Sequence, residues 1–197
     1  MAASGPSFTP EQAEQVEGAR AAGLVRVLAI NATVFTLPNV DAMFASDRVF
    51  WIAHGARVLQ EFRGQIWTAD KLSADEFGLR YVPRVRHVEG LSRDFGAVSG
   101  GGNSGYAGVN LAYLFGAREL LALVGFDMCL TNGRTHHHGD HTGRLANPTA
   151  NALAVWAGRF PALARDLKAA GVNVVNCTVN TALTCFPRAS LEDALAL

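Results

Sequence analysis

The apolar positions of this chain fall into two kinds of block. Residues 24–30, 120–125 and 172–175 are nearly continuous apolar runs rich in Val, Leu and Ile. A strand buried on both faces reads this way, because neither face meets water. Residues 41–45 and 65–69 are shorter candidates, and 79–88 alternate roughly, as a sheet edge or irregular segment does. Stretches with polar residues interleaved predict helices over 10–22, 49–60, 104–115, 151–170 and 190–197. Their ends carry start and stop signals. Thr9 precedes Pro10-Glu11-Gln12, Asn103 or Ser104 opens the third helix, and Ser190 stands three residues before Asp193. Gly23, Gly116 and Gly171 stand where helices should stop. Strands alternating with helices at these spacings predict one α/β domain over residues 1–197. Its sheet should be Rossmann-like, doubly wound and mostly parallel, with helices on both faces.

Composition narrows the function classes. Lys+Arg and Asp+Glu are equal at 17 each, so no general electrostatic grip on nucleic acid is indicated. No run approaches the roughly 20 apolar residues of a membrane helix. The polar, acidic stretch 1–17 does not read as a secretory signal. Cys129, Cys177 and Cys185 are odd in number and follow no metal spacing, which suits reduced, mostly buried thiols in a cytoplasmic protein. Only 17% of residues are charged, so apolar surface is left to hide and a homo-oligomer is expected.

Asn31, Asp47, Asp127 and Asn176 directly follow predicted strands. In an open parallel sheet, ligands bind beyond the carboxyl ends of the strands. These residues are candidate readers of a nucleotide or sugar, although Asn and Asp also favour turns for their own sake. The segment Ser99-Gly100-Gly101-Gly102-Asn103-Ser104-Gly105 feeds into a helix. Gly101 and Gly102 have no Cβ to keep a ligand from the backbone. The helix start adds free amides and the positive end of its dipole, and Asn103 and Ser104 add side-chain donors. A phosphate or carboxylate fits such a loop. It lacks the lysine of a Walker loop and the usual dinucleotide fingerprint. Ser4-Gly5-Pro6-Ser7 is a second turn of small residues, equally readable as a frayed end.

Four of six histidines lie in Thr135-His136-His137-His138-Gly139-Asp140-His141. The pattern resembles the His-x-His-x-Asp-His motif of the metallo-β-lactamase superfamily, whose zinc ions activate water. That fold needs further His and Asp ligands downstream. Here no histidine follows His141, and the only later aspartates are Asp166 and Asp193. A metallo-β-lactamase-like hydrolase is therefore the weakest candidate, and no metal ligand set is assigned. His136, His138, Asp140 and His141 are the catalytic candidates, acting as acid and base or holding one metal ion. A solvated polar loop is the bland alternative.

The order of these features resembles one superfamily. Gly5-Pro6-Ser7, Val27-Leu28-Ala29-Ile30-Asn31, residues 41–47, Gly101-Gly102-Asn103-Ser104-Gly105 and Leu123-Val124-Gly125-Phe126-Asp127-Met128, then a histidine-bearing loop, are similar to small phage and prophage proteins. Those are related to bacterial lipooligosaccharide sialyltransferases and to 6-hydroxymethylpterin pyrophosphokinases. The resemblance implies a Rossmann-like fold binding a nucleotide-sugar, possible donors being of the CMP type. It implies that Asn31 and the Asn103-Ser104 pair contact the nucleotide or its phosphate, and that His136, His138 or His141 is the base, oriented by Asp140. In that superfamily a strand precedes Gly-Pro-Ser; only residues 1–4 stand there in this chain, so the first strand is expected to be missing or shortened.

Three functions follow as expectations. The first is a transferase using a nucleotide-activated donor and an acceptor of unknown identity, with Ser7, Asn31, Asp47, Gly101, Gly102, Asn103, Ser104 and Asp127 binding the donor. The second is ATP-dependent pyrophosphoryl transfer, with Mg²⁺ on Asp47 and Asp127. The third is a non-catalytic nucleotide-binding protein of a phage particle.

Overall fold

The computed structural model describes residues 1–85, 89–143 and 145–196. Four parallel strands, β1 (Leu28–Ile30), β2 (Ala42–Ala45), β3 (Gln65–Thr68) and β4 (Arg80–Tyr81), lie side by side in chain order. Two further parallel pairs are β5 (Arg84–Val85) with β6 (Val98–Ser99), and β7 (Leu121–Leu123) with β8 (Val174–Asn176).

The start of the chain joins two of these sheets. Ala2 forms parallel bridges to both Ala29 and Val124. Its amide donates to Leu28 O at 3.0 Å and its carbonyl accepts from Ile30 N at 2.9 Å. On the other side Ala3 N donates to Val124 O at 2.9 Å, and Val124 N to Met1 O at 3.0 Å. Residues 1–3 therefore occupy the position of the strand that the sequence left missing or shortened; it is short, and paired on both sides. The hydrogen-bonded order runs β8, β7, residues 1–3, β1, β2, β3, β4. Every described pairing in this array is parallel.

Successive strand residues point to opposite faces, and two apolar clusters form accordingly. Leu28, Ile30, Phe44, Leu121, Leu123 and Val174 share one cluster with Tyr106, Val109 and Leu111 of α4 (Ser104–Leu114) and Phe160, Leu163 and Leu167 of α6 (Phe160–Ala169). Ala29, Met43, Ala45 and Val175 share the other with Val16 of α1 (Pro10–Ala21), Trp51 and Val58 of α2 (Arg48–Glu61), and Leu191 of α7 (Leu191–Leu195). Residues 104–112 of α4 are all buried, so this helix is enclosed on every side and its polar members need partners. Asn110 finds them: its Oδ1 accepts from Ser92 N (2.8 Å) and Ser99 N (2.9 Å), and its Nδ2 donates to Ser92 O (2.9 Å).

The helix caps follow the sequence signals. Thr9, Asn103 and Ser190 each accept from the amide three residues on. The predicted helix over 151–170 is two helices, α5 (Ala150–Ala157) and α6. Pro161 explains the break: it has no amide for residue 157 and its ring would strike that carbonyl, whereas it fits the first turn of a new helix. Two elements carry no apolar periodicity: the 3-10 turn Asn31–Phe35 and α3 (Lys71–Phe77), opened by Asp70 accepting from Ser73 N and closed by Gly78 at φ +67°. Part of the predicted edge segment, residues 86–88, lies outside the described residues. Among the described residues no helix is long and apolar enough to cross a membrane.

Candidate functional site

The parallel array places the ends of β1, β2, β7 and residues 1–3 along one edge, and the predicted polar residues collect there in three groups. The first surrounds the glycine loop between β6 and α4. Gly101 and Gly102 have φ of +52° and +86°, a backbone that L side chains rarely adopt. Asn103 Oδ1 caps α4 by accepting from Tyr106 N at 2.9 Å, while its Nδ2 is buried without a partner. Ser104 Oγ lies 2.6 Å from Ser46 Oγ at the end of β2. This bond ties the start of α4 to the strand edge.

Two guanidinium groups flank the same loop. A Cβ at Gly100 would fall 2.9 Å from Arg84 Cδ. A Cβ at Gly102 would fall 3.0 Å from Trp156 Cδ1 and closer still to Arg159 Nη1. Arg84 also lies 3.7 Å from the Asp47 carboxylate, which is half exposed and does not cap α2. The first amides of a helix lack acceptors within it. A cap, two cations and a helix start thus surround a loop with no side chains of its own in the way.

The histidine loop is the second group. His137 is turned inward: its amide donates to Ser4 O at 3.1 Å, its Nε2 lies 3.0 Å from Thr36 Oγ1, and its ring meets Phe8 edge-on at 5.2 Å. The other three converge. Ring centroids of His136 and His141 are 4.4 Å apart, and His138 stands 5.1 Å from each. His136 Nδ1 lies 3.3 Å from Ser4 Oγ, and its Nε2 is buried without a partner. Asn147 holds the backbone of His141 at both ends, accepting from its amide at 2.8 Å and donating to its carbonyl at 3.2 Å. Burial, and then the neighbouring imidazoles, push His136 and His138 down to about 4. These rings are therefore neutral at neutral pH. The carboxylate of Asp140 accepts from Thr135 Oγ1 at 3.0 Å; among the described residues it makes no hydrogen bond to a histidine ring.

The third group is a buried clamp. Asp127 is 1% exposed, and its Oδ2 accepts from Ser7 N and Thr131 Oγ1, both at 2.9 Å. Burial raises its pKa against the pull of those donors. Ser7 Oγ accepts from Asn180 N at 3.1 Å. Asn176 is fully buried, its Oδ1 accepting from Thr178 N at 3.1 Å and its Nδ2 donating to Thr181 Oγ1 at 3.3 Å. Ser7, Asp127 and Asn176 thus tie the turn after residues 1–3 to the loops after β7 and β8. Asp47 and Asp127 follow strands three places apart in the pairing order, about 14 Å at the usual strand spacing.

Asn31 stands between the first two groups. It ends β1, whose neighbours are residues 1–3, leading to Ser4 and the histidines, and β2, leading to Ser46 and Ser104. Its φ is +51° and its buried Oδ1 has no partner. Strained backbone with an unsatisfied polar atom is a common signature of a ligand position. Arg84, Arg159, Ser46, Thr36 and Asn147 were not singled out from the sequence, since none sits in a motif; Arg84, Arg159, Ser46 and Thr36 arrive from other segments, and Asn147 stands six residues past His141 in a stretch without periodicity. A cleft of about 1210 Å³ opens at the opposite edge, where Leu28, Ala42, Gln65 and Leu121 begin their strands, away from these groups. No family model, curated protein or solved structure matches this chain.

Proposed function

We propose that the chain is a transferase acting on a nucleotide-activated donor, a sialyltransferase-like glycosyltransferase built on a Rossmann-like, doubly wound sheet. The observation that carries this reading is the pair of guanidinium groups, Arg84 and Arg159, set against the glycine turn at the start of α4. Arginine matches phosphate geometry, and a helix start favours the same charge. Asn31 Oδ1 and Asn103 Nδ2 supply one acceptor and one donor, both unpartnered, for the nucleotide. The likeness to lipooligosaccharide sialyltransferases points the same way.

In this mechanism the acceptor hydroxyl attacks the anomeric carbon of the donor. The bond from that carbon to the donor phosphate breaks. The electron pair leaves on the phosphate, where the loop and its arginines hold the charge. The hydroxyl proton passes to a neutral imidazole of the histidine loop. The sialyltransferase likeness implies inversion in a single displacement. ATP-dependent pyrophosphoryl transfer has less support, because the spacing of Asp47 and Asp127 does not suit one shared Mg²⁺.

Thermal-shift measurement with CMP, UDP, GDP and ATP, with and without Mg²⁺, tests the reading. A nucleoside mono- or diphosphate should stabilise the chain without metal, by about 2.7 kcal/mol at a hundred times its Kd. Asn31→Gly should abolish the shift yet keep the unliganded Tm, since glycine accepts the φ of +51° and only the amide is lost. Stabilisation by ATP only with Mg²⁺ would favour the pyrophosphokinase, and no shift with any nucleotide would sink both.

A further inference from the structure

The histidine loop has a property that proton transfer does not require. The ring nitrogens available on His136, His138 and His141 lie within 4.8 Å of one another. Proton transfer needs one imidazole; three that share a point are the usual arrangement for a cation with nitrogen ligands. The loop is also held in this form by its surroundings. His137, between two of the three, is pinned to Ser4 and Thr36, and Asn147 fixes the backbone of His141.

His136 shows the polarity of the arrangement. With its Nδ1–H donating to Ser4 Oγ at 3.3 Å, the lone pair of Nε2 is left free. That Nε2 is buried and has no partner in the protein. A buried imidazole nitrogen without a partner is costly, and a bound ion is one of its standard explanations. A hydrogen bond on the opposite ring nitrogen is how metal-ligating histidines are commonly oriented.

We propose that His136, His138 and His141 form a binding site for one divalent transition-metal ion of the zinc class. Three imidazoles and no thiolate select zinc, cobalt, nickel or copper over magnesium or calcium. A four-coordinate ion at about 2.0–2.1 Å from each nitrogen needs the three donors about 3.3 Å apart. Side-chain rotation within the loop supplies that contraction. Three protein ligands leave the fourth position open, and His138 is exposed, so that position faces solvent. The ion would take water, a hydroxyl or a phosphoryl oxygen there. The site rests on the loop geometry and not on the transferase reading; with the ion bound, the acceptor hydroxyl would be activated at its open position rather than by a free imidazole of these three.

The test uses the full chain, stripped with EDTA, and titrates zinc alone by calorimetry, with cobalt as a spectroscopic probe. One equivalent should bind with a Kd of about 1 µM or tighter. Cobalt should give the intense visible bands of a four-coordinate site. His138→Gln should weaken binding by at least about 100-fold while leaving the circular dichroism and Tm of the metal-free protein unchanged. Ser4→Ala should keep the stoichiometry and weaken binding by about 10-fold. Retention of the site in a chain carrying His136→Gln, His138→Gln and His141→Gln would assign it to other ligands and overturn the proposal. Failure of the wild-type chain to bind zinc tighter than about 0.1 mM would also overturn it. No nucleotide enters these measurements, so their failure leaves the transferase test untouched.

Discussion

Gly5→Ala should be among the most damaging single-methyl additions in this chain. A Cβ at Gly5 would fall 2.8 Å from Asp127 Cγ, and closer still to Asp127 Oδ1 and Gly125 O. None of these atoms can give way cheaply. Gly125 O accepts from Gly5 N at 2.8 Å, and the Asp127 carboxylate is buried and clamped by Ser7 N and Thr131 Oγ1. Overpacking of this kind costs about 1–3 kcal/mol. Losing the Gly5–Gly125 bond adds about 1 kcal/mol, and weakening the charge-assisted bond from Ser7 about 1–2 kcal/mol more. A total near 4 kcal/mol is a large share of the roughly 5–15 kcal/mol that holds a domain together. In urea, with a slope of about 2 kcal/mol per molar, the midpoint should fall by about 2 M. Gly18→Ala is the control. Gly18 lies inside α1 with nothing within 4 Å of its Cβ position. That change should stabilise by about 0.5–1 kcal/mol. If Gly5→Ala unfolds within 1 kcal/mol of wild type, the turn after residues 1–3 is not the packed clamp described above.

Two further outcomes test the frame that carries the site. Asn110→Ala should cost about 3 kcal/mol in chemical denaturation, because it orphans the amides of Ser92 and Ser99 and the carbonyl of Ser92 inside the protein; a cost below 1 kcal/mol would show that water replaces the side chain. Burial raises the pKa of Asp41, but the Val27 amide at 2.8 Å and then Arg26 and Arg20 outweigh it, so the net shift is downward from 3.8. A depressed carboxylate stabilises the fold above its unfolded pKa and loses that contribution as pH falls through the folded one. Asp41→Asn should therefore cost about 1 kcal/mol at pH 7, and the difference from wild type should shrink below about pH 4. A gap that persists unchanged at pH 2.5 would refute this.

The strands were legible because burial on both faces leaves an unbroken apolar run, and 24–30, 120–125 and 172–175 are such runs. Each observed strand is shorter than its run, since the ends of these runs pack as loops: β1 begins at Leu28 although the apolar stretch begins at Leu24, which is 68% exposed. Residues 1–3 gave no such signal. Three residues are too few to show a period, and their strand character comes from the two neighbours that pair with Ala2. The α5–α6 break was present in the chain as Pro161, and an apolar pattern running through it concealed the interruption. The turn Asn31–Phe35 and α3 are set by tertiary contacts and one polar cap, which periodicity does not report.

The candidate site divides along the same line. Its local parts could be read directly: glycines followed by a cap, and four histidines in six residues, are patterns within one segment. Its long-range parts could not. Ser46 reaches Ser104 across 58 positions, Ser4 reaches His136 across 132, and Arg159 meets Gly102 from the α5–α6 junction that the apolar pattern concealed. All three joins depend on the strand order. Residues 1–3 lie between β7 and β1, so the turn at Ser4 comes up beside the loop that leaves β7, and the histidines settle on it. β2 lies on the other side of β1, so Ser46 meets the start of α4 there. Asn31 ends the strand between them, with its side-chain Oδ1 buried and unpartnered. The order of strands thus turns two loops, each generic alone, into the two sides of one edge, with a single strained asparagine between the cationic cradle and the imidazoles.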